Sequence, residues 1–197
     1  STAIEKGDHY LLNGSKTYIS NGINADVVVV AAKTNPDDKR SISLFLVERG
    51  MEGFERGANL TKMGKKGQDT AELFFSNVKL PKENLLGQEG KGMVHLMEAL
   101  AEERLIASVE ALAGAQKAFD LTVEFATERK LFGQTLGDFQ NTQFKLAECF
   151  TEARIARTFV DDCAMKLLDG KLDTATASMA KWWTAQKQCE IVDTCLQ

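Results

Sequence analysis

The sequence contains few of the residues from which metal sites and disulfide frameworks are built. Its 197 residues include two histidines and four cysteines, and the cysteines are Cys149, Cys163, Cys189 and Cys195. All four fall in helical patterns and none forms a close CxxC pair, so we expect neither a metal site nor a disulfide framework. Unpaired cysteines are typical of a reducing compartment. We expect these four to be small core residues.

Charge and hydropathy exclude further classes of protein. The net charge is -4 and there is no basic run, so nucleic acid is not an expected partner. No apolar stretch reaches the length of a membrane span, and the polar residues 1–7 are unlike a secretory signal. We therefore expect a soluble protein of the bacterial cytoplasm, or of the mitochondrial matrix if the source is eukaryotic.

Proline is scarce as well, and its second occurrence, Pro81, marks a change in the hydrophobic pattern. Before Pro81, short alternating runs are separated by turn residues, which is typical of β-strands. We predict a hairpin turn at Asn13-Gly14 and a second turn at Asn21-Gly22. The predicted strands are residues 9–12, 16–20, 26–33, 42–48 and 71–80. Many short strands favour a small antiparallel sandwich or barrel.

After Pro81 the apolar residues recur with a helical period. Asp138 and Asp173 are expected N-caps, and Gly170 is the expected end of the second helix. The predicted helices are residues 90–128, 139–168 and 174–197.

The predicted fold class is α+β with two domains. A β domain at residues 1–82 is followed by an antiparallel helical bundle of the four-helix type at residues 83–197. The third helix reaches Gln197 without a stop signal, so we expect both domains to be incomplete.

The first helix is apolar nearly all round, which predicts a helix packed inside a bundle. Glu103 shares a stripe of this helix with Leu96, Leu100 and Ile106. A carboxylate held there is expected to be partly desolvated, the condition under which it serves as a general base. The alternative is a solvated residue or a structural charge paired with an arginine.

Three separated stretches together resemble the acyl-CoA dehydrogenase family. Residues 7–22 (GDHYLLNGSKTYISNG) are similar to the signature of its middle domain. Lys62-Met63-Gly64 is followed by Asp69-Thr70 and a strand that ends at Pro81, and residues 128–133 (ERKLFG) are followed by Gln140. The order and spacing match along essentially the whole chain, which makes the resemblance specific. It implies most of the middle β domain and about three helices of the C-terminal bundle.

The resemblance implies an enzyme that oxidises an acyl-CoA thioester to the trans-2-enoyl-CoA with FAD. It further implies electron transfer to an electron-transfer flavoprotein and assembly into a homotetramer. In the long-chain and isovaleryl-type branch the base is a glutamate of a Glu-Arg-Leu triplet, which matches Glu103-Arg104-Leu105. Glu103 is thereby implied as the catalytic base and Arg104 as a contact of the substrate. The alternatives are an acyl-CoA oxidase-like flavoenzyme and a catalytically inactive scaffold.

The resemblance also assigns residues to the cofactor. Those implied to contact FAD are Tyr18 and Ser20 at the flavin ring, and Arg129, Phe132, Gln140 and Gln197 across a subunit interface. Taken without the family, Tyr18 on a strand is a half-buried aromatic residue. Arg129 is then a favourable charge at a helix end, and Phe132 is an ordinary core or interface anchor.

Overall fold

The computed structural model describes residues 1–38 and 40–197. The chain forms two compact units, a sheet unit at Ser1–Met97 and a helical unit at Glu98–Gln197. The predicted domain boundary between residues 82 and 83 lies before the division between these units, which follows Met97. The domain boundary stays a prediction.

Seven strands form one sheet in the order β5-β6-β2-β1-β3-β4-β7. The strands are β1 (Thr2–Glu5), β2 (His9–Ser20), β3 (Val27–Lys33), β4 (Ile42–Glu48), β5 (Phe54–Arg56), β6 (Thr70–Pro81) and β7 (Leu85–Leu86). Neighbouring strands pair antiparallel, but β1 and β3 pair in parallel through Thr2 and Lys33. A sheet followed by three helices confirms the predicted α+β class, with a mixed sheet rather than a wholly antiparallel one.

The core of the sheet unit comes from alternation along the strands. In β6, Leu73 and Phe75 are buried whereas Phe74 between them is exposed. The alternation shifts at Asn77, which has a φ of 54°, and Val78 and Leu80 then point inward. Such a strand buries one face and leaves the other to solvent. The buried cluster comprises Ala3, Tyr10, Leu12, Val30, Ala32, Phe45, Val47, Leu73, Phe75, Val78 and Leu80.

The hairpin turn predicted at Asn13-Gly14 is wrong, because β2 runs through both residues and pairs with β6. The register shifts between Leu12 and Gly14, which is a β-bulge. Gly14 has a φ of 130°, and a Cβ there would lie 2.7 Å from the Cα of Ser1. Glycine therefore permits a close approach of two backbones here and does not form a turn. The second predicted turn, at Asn21-Gly22, is confirmed by a hydrogen bond from the Gly22 N–H to the Ile19 carbonyl.

The three predicted helices are present as α1 (Gly92–Glu128), α2 (Gln140–Leu168) and α3 (Thr174–Leu196). Asp173 is confirmed as a cap, since its carboxylate accepts from the Thr176 N–H at 2.9 Å. Gly170 has a φ of 67° and donates to the Leu167 carbonyl, while the Lys171 N–H bonds the Lys166 carbonyl. This pair of bonds is a Schellman motif and ends α2 as predicted.

Asp138 is not the N-cap of α2, and that prediction is wrong. The cap position is Phe139, which makes no side-chain capping bond. The Asp138 carboxylate instead accepts from the Thr135 N–H at 2.8 Å and from the Thr135 hydroxyl at 2.7 Å. Its Oδ2 therefore bonds Thr135 in the short turn before α2.

Small residues dominate the core of the helical unit. The buried clusters comprise Leu105, Leu112, Ala115, Cys149, Ala153, Ala156, Val160, Cys163, Ala180 and Ile191. Cys149 and Cys163 are thus core residues as expected, whereas Cys189 is exposed and Cys195 lies in between. A Cβ on Gly114 of α1 would meet the side-chain amide of Gln188 on α3 at 2.3 Å, so the Gln188 side chain lies against α1 where that helix has no side chain.

The expectation that α1 is covered all round is wrong for this chain. Ile106, Val109, Leu121 and Phe125 of α1 are all about half exposed, because the two other helices cover only part of its circumference. Within the described residues, none of the helices combines the length and apolarity that crossing a membrane requires.

Candidate functional site

The end of β2 displays an aromatic ring to solvent. Tyr18 has a φ of 59°, a left-handed conformation that costs a residue with a side chain about 1–3 kcal/mol. It lies where the register shifts between Lys16 and Ile19. The side chain is 77% exposed, so the half-buried aromatic expected from strand propensity is not found. Ser20, two residues on, is exposed as well.

A carboxylate fixes the turn that follows Ser20. Asp69 accepts from the Ile23 N–H at 2.7 Å and from the Asn24 side-chain amide at 2.9 Å. The Asn21 N–H in turn donates to the Asp69 carbonyl. The Ile23 N–H lowers the pKa of Asp69 most, partial burial opposes the shift, and Asn24 adds to it. Asp69 is therefore a buried, charged anchor of this turn.

Two arginines hold the carbonyl side of the same turn. Arg49 donates to the Ile23 carbonyl at 2.8 Å and to the Ala25 carbonyl at 3.1 Å. Arg56 donates to the Ala25 carbonyl at 2.7 Å and lies over the ring of Phe54. Desolvation, then the charge of Arg49, lowers the pKa of Arg56. The turn is thus bonded on both its donor and its acceptor side.

Glu103 lies on α1 in the helical unit and is exposed. The expectation that it is partly desolvated is therefore wrong for this chain, and the solvated alternative describes it better. Arg104 beside it is half-buried, and its Nη1 is buried without a hydrogen-bond partner among the described residues. A buried donor without an acceptor is costly, so this guanidinium has capacity for a further ligand.

A two-residue hairpin presents a second aromatic ring. Strands β8 (Lys130–Leu131) and β9 (Gln134–Thr135) pair antiparallel. Phe132 and Gly133 between them have φ values of 51° and 84°, as a type I′ turn requires. Phe132 is 96% exposed, so it is not a core residue of this chain. Arg129 before the hairpin is also exposed, and its carbonyl accepts from the Leu136 N–H at 2.7 Å.

The helical unit contains a cavity of about 380 Å³. Gln197 lines it, together with Asn141 and Thr142 from the first turn of α2. The remaining lining residues are Thr122, Phe125, Ala126, Leu136, Lys145, Leu146, Cys149, Asp193, Thr194, Cys195 and Leu196. Gln140 precedes Asn141 in α2 but is not part of the lining, and neither are Arg129 and Phe132.

The sequence-predicted residues therefore divide between the two units, with Tyr18 and Ser20 in the sheet unit and the others in the helical unit. Sequence reasoning missed Asp69 as the anchor of the turn, although Asp69-Thr70 belongs to one of the recognised stretches. It also missed the cavity, whose only signal was the polar pair Asn141-Thr142 at a helix start. Across residues 1–38 and 40–197, no group of three or more His, Cys, Asp or Glu side chains is arranged to hold a metal ion.

Comparison with known families gives two matches that together span most of the chain. Residues 1–78 match the acyl-CoA dehydrogenase middle domain, and residues 90–197 match the acyl-CoA dehydrogenase C-terminal domain. The second match alone covers more than half of the 197 residues.

Individual relatives agree with the family models. The mitochondrial long-chain specific acyl-CoA dehydrogenase of Rattus norvegicus is 44% identical over 100% of this chain and 46% of its own length. The mitochondrial isovaleryl-CoA dehydrogenase of Pongo abelii is 40% identical over 85% of this chain and 40% of its own length. A crystal structure of an acyl-CoA dehydrogenase from Geobacillus kaustophilus superposes with a TM-score of 0.97 at 46% identity, covering 100% of this chain and 52% of that one.

The chain thus spans about half the length of the proteins it matches. The resemblance inferred from the three stretches, including its long-chain and isovaleryl-type relatives, is confirmed. The chain belongs to the acyl-CoA dehydrogenase family.

Proposed function

We propose that the protein containing this chain is an FAD-dependent acyl-CoA dehydrogenase. It oxidises an acyl-CoA thioester to the trans-2-enoyl-CoA and passes the electrons to an electron-transfer flavoprotein. One observation carries the proposal. Two aromatic residues, Tyr18 and Phe132, are held on left-handed backbone with their rings 77% and 96% exposed. Strained backbone of this kind is characteristic of functional positions, and the resemblance assigns these two rings to FAD.

The exposed side chains have chemistry that fits FAD. The Tyr18 ring can pack beside a flavin, and the Ser20 hydroxyl can donate to or accept from its ring atoms. Arg129 offers a planar fork of donors suited to a pyrophosphate, and Phe132 offers a face for an adenine. Gln140 and Gln197 would add polar contacts. A bound FAD would supply the acceptor for the β-hydrogen that leaves the substrate as hydride.

Glu103 is the proposed catalytic base that removes the α-proton of the thioester. Its exposure leaves the carboxylate accessible to a ligand, and a bound acyl chain would supply the desolvation that proton abstraction needs. Arg104 is the proposed contact of the CoA-bearing substrate, which is supported by its unpaired buried Nη1. The two adjacent residues then have separate roles, one in proton transfer and one in binding.

The assembly we propose is a homotetramer. Arg129 and Phe132 make up an exposed hairpin region that contributes little to the core of its own chain, which supports a contact with the cofactor of a neighbouring subunit. In this proposal residues 1–82 belong to the middle β domain and residues 83–197 to the C-terminal bundle. The compartment is the bacterial cytoplasm, or the mitochondrial matrix if the source is eukaryotic.

The first test is an anaerobic visible titration of the complete natural polypeptide with acyl-CoAs from short to long and branched. We expect the flavin band to bleach, and the acyl-CoA that bleaches it fastest identifies the substrate. Glu103→Gln should slow bleaching by about 10²–10⁴-fold because the base is lost. Glu102→Gln, one residue away and also exposed, is the matched control and should bleach like the wild type.

Each alternative has its own outcome. Bleaching followed by rapid reoxidation in air, with no acceleration by an electron-transfer flavoprotein, indicates an acyl-CoA oxidase-like enzyme. A colourless protein, or a yellow one that no acyl-CoA bleaches, overturns the enzyme proposal in favour of a scaffold. Equal rates for the Glu103 and Glu102 variants would remove Glu103 from its role.

A further inference from the structure

We propose that Asp69 is a positioning residue of the reaction: it fixes the turn at residues 21–26 and thereby the placement of Tyr18 and Ser20 against the flavin. The inference rests on the proposed function, since it presumes that these two side chains contact the cofactor. Asp69 itself is not proposed to contact substrate or cofactor. It acts through the backbone at the end of β2.

The Asp69 carboxylate accepts from two donors of the turn. One oxygen of Asp69 accepts from the Ile23 N–H at 2.7 Å, and the other accepts from the Asn24 amide at 2.9 Å. Asp69 is a buried residue with an exposed fraction of 9%. At this depth, donors that lose their acceptor are not fully compensated by water. The two bonds therefore hold the turn in one conformation.

The acceptor side is held independently by Arg49 and Arg56, which bond the carbonyls of Ile23 and Ala25. Arg49 also pairs with Asp26 at 2.8 Å. Because the two sides have different anchors, removal of the Asp69 carboxylate releases the Ile23 N–H and the Asn24 amide while the arginines retain the carbonyls. The expected result is a displaced turn rather than an unfolded sheet.

The turn is coupled to Tyr18 through a short and strained segment. Asn21 has a φ of 62°, its N–H donates to the Asp69 carbonyl, and the Gly22 N–H donates back to Ile19. Ile19 and Ser20 pair with Ala71 and Thr70, directly after Asp69 in the chain. Tyr18 precedes these fixed residues.

A left-handed tyrosine persists only where its surroundings determine the backbone. The pairing of β2 with β6 and the anchored turn are two such determinants, and Asp69 lies where they meet. If the turn is no longer anchored, the Tyr18 backbone can relax toward an ordinary strand conformation. The ring of Tyr18 would then move away from its proposed position beside the flavin.

The test compares Asp69→Asn with Asp37→Asn in the complete natural polypeptide, with FAD content measured first. Asparagine has the same shape but replaces one acceptor oxygen by a donor, which then faces the Ile23 N–H or the Asn24 amide. Asp37 is an exposed aspartate of the same unit and serves as the matched control. The readouts are flavin fluorescence, the flavin reduction potential, and kcat and KM measured separately.

We expect Asp69→Asn to retain FAD and the far-ultraviolet circular dichroism of the wild type. Flavin fluorescence should rise as the quenching tyrosine moves away, and the potential should shift. The kcat should fall roughly 10–100-fold with KM changed less than about threefold, because misplacement of about 1 Å impairs the chemical step more than binding. Asp37→Asn should leave all four readouts at the wild-type values.

Asn24→Ala is a second, milder variant that removes one donor and keeps the carboxylate. It should show the same spectral changes to a smaller extent, and it decides the question if Asp69→Asn does not fold. The positioning role is overturned if Asp69→Asn has the fluorescence, reduction potential and kcat of the wild type. If Asp69→Asn does not fold, the same result for Asn24→Ala overturns it. A wild-type protein without FAD overturns the proposed function instead, so the two failures are distinguishable.

Discussion

The sheet unit and the helical unit bury different kinds of side chain. Among the described residues, the large apolar side chains with less than 2% exposure all belong to the sheet unit, and they are Phe45, Leu12, Leu73, Leu80, Val30, Val47 and Val78. In the helical unit, the largest side chains with less than 2% exposure are those of Thr184, Cys163 and Ser108. Both hydroxyls bond the carbonyl four residues earlier, which satisfies them locally.

Many large apolar side chains of the helical unit are exposed, although Leu105, Leu112, Val160 and Ile191 are buried. Phe144, Ile155, Met165, Leu168, Trp182 and Leu196 are all exposed. Alanine and cysteine lie in the interior beside these larger residues, and exposed apolar side chains that adjoin one another are where another polypeptide would pack. The sheet unit therefore fully buries its largest apolar side chains, whereas the helical unit leaves apolar side chains exposed that further packing would cover.

The largest expected effect is in the sheet core. Leu73→Ala should lower the free energy of unfolding by about 2–5 kcal/mol, since the side chain is fully buried and its removal leaves a cavity. Leu168→Ala, at a leucine 79% exposed, should change it by less than about 0.5 kcal/mol. Urea unfolding followed by circular dichroism measures both. A large loss for Leu168→Ala would contradict this difference between the units, because it would show that a partner buries the leucine.

A smaller effect is expected at the end of α2. Gly170→Ala places a side chain on left-handed backbone (φ 67°) and should cost about 1–2 kcal/mol. Gly64→Ala is the control, because a Cβ there meets nothing within 4 Å, and its effect should stay within about 0.5 kcal/mol. The same urea transition reports both changes. Equal midpoints for the two variants would contradict the account of the helix end.

The smallest effect is a pH dependence that one aspartate in each unit contributes. Asp69 has a pKa below its usual range because the Ile23 N–H donates to it, and Asp173 because the Thr176 hydroxyl and N–H do. Such a carboxylate stabilises the fold above its unfolded-state pKa of about 3.9, and the stabilisation is lost as the pH falls through the lower folded-state value. The Tm should therefore fall as the pH drops below about 4. It should fall less steeply in Asp69→Asn and Asp173→Asn, and slopes equal to that of the wild type would exclude the assignment.

The sequence predicted the helices well because their signals are local. The period of apolar residues, the Asp173 cap and the Gly170 stop act within a few residues of each other, so no distant contact is needed. Asp138 failed although it is the same residue type as Asp173, because Thr135 offers it two closer donors. The Thr135 N–H and hydroxyl therefore compete with the first N–H groups of α2 for the Asp138 carboxylate.

The failures elsewhere come from contacts between distant residues. Asn13-Gly14 has the strongest short-range hairpin signal, but Asn13 bonds Asn77 and Gly14 admits Ser1, both of which depend on the assembled sheet. The exposure of Glu103 depends on what surrounds α1, which its own stripe does not encode. The residue types of the site were predictable, whereas the anchoring by Asp69 required the pairing of β2 with β6.

The conformation of Tyr18 has an evolutionary consequence. Glycine adopts a φ of 59° without steric cost, so selection for stability alone would replace the tyrosine at this position by glycine. An aromatic ring retained there is a residue at which selection for stability and selection for activity oppose each other, as is common at functional positions. In a lineage that lost the activity, this position should be among the first in the sheet unit to change.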